Sequence, residues 1–248
     1  MSAHVDVNTA DGVATVHINR PDKKNALTSE MYAGLAEALH SSDADTDVRA
    51  IRILGVPGAF SAGNDLRDFL AFAEQGALGD SLIAFLEAIA GCETPLVAGV
   101  DGLAIGVGTT MLLHCDQVVA SDASRFQTPF IDLGIVPEAA SSLIAPRLMG
   151  HQQAFSLLVL GRPMSAADAV SAGFVGEVVT SDQVEARSAE IAVEIASKPA
   201  GAVRAARALL KGDRDAVLTR IHQEADVFRE RLQSDEAKAA FQAFFARK

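Results

Sequence analysis

An α/β fold is what this sequence predicts, and three observations predict it. Short apolar runs of strand length recur at Val13 to Ile18, Val48 to Leu54, Leu96 to Val100 and Gln117 to Ala120. Between them, apolar residues return at helical spacing, so strand-turn-helix units repeat along the chain. From Ser181 onward the pattern is helical only, broken at Lys198-Pro199 and at Gly212-Asp213. The 248 residues, 49% of them hydrophobic, suffice for one large core with an appendage. A soft boundary near residue 197 divides a strand-and-helix core, 1–197, from a helical region, 198–248.

In chain order, Val13 to Ile18 alternates as a strand, and Arg20-Pro21-Asp22-Lys23-Lys24-Asn25 is a cation-bearing turn. Thr28 or Ser29 then caps a helix in which Met31, Leu35 and Leu39 recur at i, i+4 and i+8, with Ser41 to Asp47 as its polar exit. The next strand feeds Phe60-Ser61-Ala62-Gly63-Asn64-Asp65-Leu66, a small-residue corner, after which Leu66, Phe69 and Leu70 follow at helical spacing. Leu82, Ile83, Leu86 and Ile89 mark another helix, and Pro95 restarts the chain as a strand. Asp101-Gly102 turns toward Ile105-Gly106-Val107-Gly108, with a mostly apolar helix over Thr109 to Cys115. Pro137-Glu138 opens a helix whose Leu143, Ile144 and Leu148 face inward, Pro137 suiting the first helical position. His151 to Leu160 is a further helix ended by Gly161, Ser165 caps a short one closed by Gly173, and Glu177 to Val179 is a brief strand.

Composition excludes several function classes. A formal charge of −11 repels a nucleic-acid backbone, and no lysine-rich helix offsets it. Cys92 and Cys115 form no CxxC pair and indicate neither a disulfide framework nor a metal site. No stretch of about eighteen apolar residues suggests a membrane span, and the N-terminus carries no basic segment leading into an apolar one. The expectation is a soluble cytoplasmic protein without a metal or a separate cofactor.

Chemistry is suggested by two turns. The corners at Ala62-Gly63-Asn64 and Gly106-Val107-Gly108 each precede a helical segment, so each offers unpaired backbone N–H groups to a ligand oxygen. Two such turns could converge on one oxygen, or could be plain connections whose glycines allow close packing. The Gly106-Val107-Gly108 turn is not a dinucleotide loop, because the third glycine position holds Met111. Among apolar neighbours, Glu138 is the best candidate base. Burial would raise its pKa and a helix N-terminus would lower it, so no net direction follows; it could also be an ordinary first-turn glutamate. His114 reads as a satisfied core histidine, and no G-x-S-x-G elbow is present.

Taken together, Asn19-Arg20-Pro21 with Asn25-Ala26-Leu27, Phe60 to Leu66, Val100-Asp101-Gly102 through Gly108 to Cys115-Asp116, Phe126, Pro129, Leu133-Gly134, Pro137, and Ala169 with Ala172-Gly173-Phe174-Val175 resemble the crotonase, or enoyl-CoA hydratase/isomerase, superfamily. The resemblance covers nearly the whole chain. It implies a spiral of strand-strand-helix units with a helical C-terminal region, an acyl-CoA thioester substrate and assembly as a homotrimer or hexamer. It also implies that the Asn64 and Val107 N–H groups form an oxyanion hole. Ala26, Ala62, Gly63, Asn64, Asp65, Leu66, Gly106, Val107 and Phe130 would line the substrate site, with Lys23, Lys24 or Arg67 within reach of CoA phosphates or merely solvated. The two glutamates of classical hydratases are replaced here by Thr110 and Phe130, which argues against water addition. Glu138, in Pro137-Glu138-Ala139-Ala140, resembles the single catalytic glutamate of the peroxisomal-type 3,2-enoyl-CoA isomerases. Alternatives are another crotonase-type reaction, hydration or thioester hydrolysis, and a non-catalytic acyl-CoA-binding protein.

Overall fold

The computed structural model describes residues 2–65, 68 and 79–246. Among these the strands form two sheets. The larger contains β1 (Val5–Ala10), β2 (Val13–Ile18), β3 (Ala50–Leu54), β5 (Leu96–Val100), β7 (Gln117–Ser121) and β10 (Glu177–Val179), in that spatial order. It is parallel except for the β1–β2 hairpin. The smaller sheet orders β4 (Ala59–Ser61), β6 (Leu103–Ile105), β8 (Arg125–Gln127) and β9 (Met164–Ser165), with β4, β6 and β8 parallel. Each central strand of the large sheet, β3, β5 or β7, is followed by a short strand of the small one. The expected strand-strand-helix repeat is therefore present, and it lines up three strand ends on one side.

Helices cover both faces of the large sheet. On one face lie α1 (Ser29–Ala44), α2 (Asp80–Gly91) and, behind α2, α8 (Arg214–Leu232). Met31, Leu35 and Leu39 are buried as their spacing predicts, with Tyr32 stacked against Phe85 at 5.6 Å between ring centroids. Each large apolar side chain buried in this way contributes about 1.5–3 kcal/mol. After the short α5 (Ala166–Ser171), α6 (Val184–Ala196) lies on the other face and sets Ala192 and Ala196 against Val13, Ala50 and Val97. The chain continues as α7 (Ala200–Lys211) and ends with α9 (Asp235–Ala246). None of the described helices is long and apolar enough to cross a membrane.

Several elements depart from the sequence expectation, each for a physical reason. Strand β1 has no counterpart in the sequence reading because beyond Val5 it is largely solvent-facing and shows little alternation. The strands of the small sheet are two or three residues long, too short for periodicity, and are defined by main-chain pairing. Helix α1 runs on to Ala44, into the polar stretch taken as its exit, and β3 starts at Ala50 rather than Val48. The segment after Gly106 is a short α-helical turn, α3 (Val107–Thr110), continued by a 3-10 turn at Met111–His114, not a helix over Thr109 to Cys115.

The most consequential correction concerns Pro137-Glu138, which does not open a helix. Helix α4 (Ser141–Leu158) begins three residues later, after Ala139 and Ala140 in left-handed conformation at φ 62° and 53°. Its Leu148 is exposed rather than inward-facing, and Gly150 (φ 75°, ψ 160°) kinks it where the sequence suggested two helices. Leu66, Arg67, Phe69 and Leu70 lie outside the described residues.

Candidate active site

The two glycine turns meet because they end neighbouring parallel strands. β4 pairs with β6 through Ala59 with Leu103 and Ser61 with Ala104, so the corner after Ser61 lies beside the corner after Ile105. Glycine is required at this contact. A Cβ on Gly63 (φ 84°) would stand 2.8 Å from the Ile105 carbonyl oxygen, and one on Gly108 would stand 2.8 Å from the Ser61 carbonyl oxygen.

The donors in these turns follow from backbone pairing. Leu27 N–H donates to the Gly63 carbonyl at 2.7 Å and Asp65 N–H to the Leu27 carbonyl at 2.8 Å. Asn64, between them, therefore directs its own N–H away from Leu27. In the second turn Gly106 takes φ 56° and ψ −122°, and its carbonyl accepts from Thr109 and Thr110 N–H. Val107 is the first helical residue, where an N–H has no intrahelical acceptor. Neither the Asn64 nor the Val107 N–H bonds an acceptor among the described residues. Phe130 is buried, and its ring edge stands 3.9 Å from where a Gly106 Cβ would lie, so it forms an apolar wall beside this turn.

A buried clamp holds the first turn in place. Asn25, fully buried at φ 56°, donates through Nδ2 to the carbonyls of Ile18, Ala59 and Phe60, while Ser61 Oγ donates to the Asn25 carbonyl. Arg20 donates to Asp65 Oδ2 at 2.7 Å and to the Ala26 carbonyl at 2.8 Å. Asp65 is thus turned into an internal ion pair. Ala62 N–H donates to the Lys24 carbonyl, which brings the backbone of the cationic turn against the Ala62 corner. The Tyr32 hydroxyl donates to Asn64 Oδ1 at 2.6 Å, so the Asn64 side chain is anchored as well as its backbone.

Glu138 is 3% exposed. Thr110 Oγ1 donates to its Oε1 at 2.5 Å, and its Oε2 is buried with no hydrogen-bond partner among the described residues. Leaving a buried acceptor unpaired costs about 1–3 kcal/mol, and the Glu224 Oε2 atom is buried without a partner among the described residues in the same way. The left-handed turn after Glu138 is held by Ser141, whose N–H and Oγ both donate to the Glu138 carbonyl, and by His114 Nε2, 2.8 Å from the Ala139 carbonyl. Burial lowers the His114 pKa to about 4, so the ring is neutral and the nitrogen facing that carbonyl carries its proton. It is the satisfied core histidine that the sequence suggested.

Burial decides the opposition left open for Glu138 and raises its pKa to about 8; the Thr110 hydroxyl acts against the rise and the charge of Glu224 adds to it. Burial, followed by the charges of Glu138 and Asp68, likewise holds the Tyr32 phenol protonated. The folded protein binds the Glu138 proton more tightly than the unfolded chain does. Stability from this group is therefore present below about pH 4.5 and is lost as pH rises toward about 8. Glu138→Gln cannot ionise, so its melting temperature should exceed that of the wild type by little at pH 5 and by several degrees at pH 8, about 2–4 °C per kcal/mol for a chain of this size. Scanning calorimetry at both pH values checks this; an equal difference at the two would refute it.

The structure therefore places Ala26, Ala62, Gly63, Asn64 and Asp65 on one corner and Gly106, Val107 and Phe130 on the adjoining one. Thr110, in the helical turn after Val107, joins the second corner to Glu138. Leu66, expected to line the same site, is outside the described residues. Sequence reasoning did not find Asn25, Tyr32 or Glu224 as site-supporting residues, nor Thr110 as the partner of Glu138. A signal existed for Asn25 alone, an asparagine in a turn where left-handed φ is tolerated.

Comparison with known proteins shows the family. The enoyl-CoA hydratase/isomerase family matches residues 8–248. The crystal structure of an enoyl-CoA hydratase/isomerase from Pseudoalteromonas atlantica T6c superposes with a TM-score of 0.92 at 41% identity, covering 99% of this chain and 98% of that one. Enoyl-CoA delta isomerase 2 of Rattus norvegicus is 32% identical over 248 residues, which span 98% of this chain and 63% of the rat protein. A probable enoyl-CoA hydratase of Rhizobium meliloti is also 32% identical, over 98% of this chain and 95% of its own. The chain thus belongs to the enoyl-CoA hydratase/isomerase family and has the crotonase α/β fold.

Proposed function

We propose that this protein is a 3,2-enoyl-CoA isomerase, moving a C3 double bond of an enoyl-CoA ester to C2. The observation that carries the reading is Glu138: a buried carboxyl with one oxygen held by Thr110 and the other unpaired among the described residues, beside two turns whose leading N–H groups bond no acceptor among those residues. In the proposed mechanism the Asn64 and Val107 N–H groups receive the thioester carbonyl oxygen. This acidifies the C2 protons. Glu138, as carboxylate, removes one of them, and the electrons of the broken C–H bond pass into a dienolate whose negative oxygen rests on the two donors. The same carboxyl then delivers its proton to C4, the C3–C4 double bond having moved to C2–C3.

Hydration needs a second group to orient and activate water. The positions that the family resemblance assigns to such glutamates hold Thr110, whose hydroxyl is committed to Glu138, and buried Phe130. Both features support proton shuttling over water addition. Incubating wild-type protein separately with 3-enoyl-CoA and 2-enoyl-CoA esters, with products resolved by chromatography and NMR, tests the reading. The expected outcome is conversion of the 3-enoyl to the 2-enoyl ester, with no comparable formation of 3-hydroxyacyl-CoA. Hydration or release of free CoA as the dominant reaction would replace this assignment, and binding without turnover would point to an acyl-CoA carrier.

A further inference from the structure

Helix α4 starts without a local cap. Its N-cap residue is Ala140, whose methyl group cannot accept a hydrogen bond, yet this end of the helix is where the Glu138 segment is anchored. The missing acceptor comes from far along the chain. Glu224, 6% exposed on α8, accepts through Oε1 from both the Ser142 N–H at 2.9 Å and the Ser142 hydroxyl at 2.5 Å. One turn earlier on α8, Arg220 donates to the same Ser142 hydroxyl at 3.1 Å. Ser142 is thus held between a cation and an anion of the C-terminal helical region, four residues after the proposed proton carrier.

We propose that Glu224 is a positioning residue for Glu138, capping α4 from a distance so that the left-handed Ala139–Ala140 turn keeps the Glu138 carboxyl on Thr110 with its second oxygen free. This inference rests on the reading of Glu138 as the group that moves the proton. The left-handed pair is unfavourable for alanine and persists only where its surroundings over-determine it. Ser141 fixes the start of the turn, through the Glu138 carbonyl, and Glu224 fixes its end, through Ser142. A carboxylate here also faces the positive end of the α4 dipole.

Glu224 has an electrostatic role besides the geometric one. Among the described residues, the titratable and charged groups set around Glu138 are Tyr32 on α1, His114 on the 3-10 turn after α3, and Glu224 with Arg220 on α8. Of these, His114 is neutral and Tyr32 is held protonated. Burial is what chiefly makes proton release from Glu138 harder, and the Glu224 charge adds to it; burial raises the Glu224 pKa as well, against the hydrogen bonds that Ser142 donates to it.

Two variants separate the roles. Glu224→Gln keeps an acceptor for Ser142 and removes the charge, whereas Glu224→Ala removes both. In protein labelled with 13Cδ-glutamate, the Glu138 resonance is assigned by its loss in Glu138→Gln, and its midpoint in Glu224→Gln should fall below that of the wild type. For 3-enoyl-CoA turnover, Glu224→Ala should lose about tenfold or more in kcat with KM within about twofold, and Glu224→Gln should recover the wild-type plateau at high pH. An unchanged Glu138 midpoint in Glu224→Gln, or wild-type kcat in a folded Glu224→Ala, overturns the proposal. The NMR readout needs no turnover, so a wild type inactive on 3-enoyl-CoA would defeat the isomerase reading while leaving this one open to measurement.

Discussion

Glu138→Gln is expected to lower kcat on 3-enoyl-CoA esters by about 10³-fold, within the 10²–10⁴ range that a positioned general base contributes. The substitution keeps shape and volume. Thr110 can still donate to the amide oxygen, so the fold and ester binding should survive and KM should change by only a few-fold. What disappears is the group proposed to take a proton from C2 and return it at C4. A retained tenth or more of wild-type activity would show that another group carries the proton. In the wild type, the raised proton affinity makes a stronger base of the ionised form and leaves about a tenth of the sites ionised at pH 7, given a pKa of about 8. The kcat/KM profile should accordingly climb with pH to a plateau above about 8.

Val107→Pro is expected to cost about 10²–10³-fold in kcat, the equivalent of about 2.7–4 kcal/mol, because it deletes one of the two proposed oxyanion donors without deleting the turn. Proline is favoured at the first position of a helix, and the Val107 N–H bonds no acceptor among the described residues. The preceding residue is equally compatible. Gly106, at φ 56° and ψ −122°, lies in the mirror image of the extended region that a residue before proline prefers, and it has no Cβ to clash with the ring. Circular dichroism should therefore match the wild type while turnover falls. Activity within threefold of the wild type would remove Val107 from the mechanism.

The parallel strands were legible in the sequence because they are buried on both faces and read as continuous apolar runs: Leu96 to Val100 is buried at every position and was delimited correctly. Helix α1 was legible from its Thr28 cap and its i, i+4, i+8 stripe. The approach of the two glycine turns is left open by the residues alone and implied only by the family resemblance, because it depends on three-residue strands paired across the fold. The tilt of Glu138 out of the helix was missed for a different reason. Local preference makes Pro137 a helix start, whereas Ser141, His114 and Glu224 hold the next two alanines left-handed. Glu224 itself carries no local mark, since a glutamate four residues after Arg220 on a polar helix is ordinary surface chemistry until the fold turns it inward.

The bond between Ser142 and Glu224 also bears on how the protein comes into being. The two residues are 82 apart in sequence, so a chain emerging N-terminus first displays β3 to β7 and both glycine turns well before α8 has been made. During that interval α4 can form, but its leading end has no acceptor and the Ala139–Ala140 turn has nothing to hold its far side. Newly synthesised chains should thus pass through a state with the donor turns built and the carboxyl not yet set. Synthesis of α8, rather than formation of the sheet, is then the event that would set the proposed proton carrier in place.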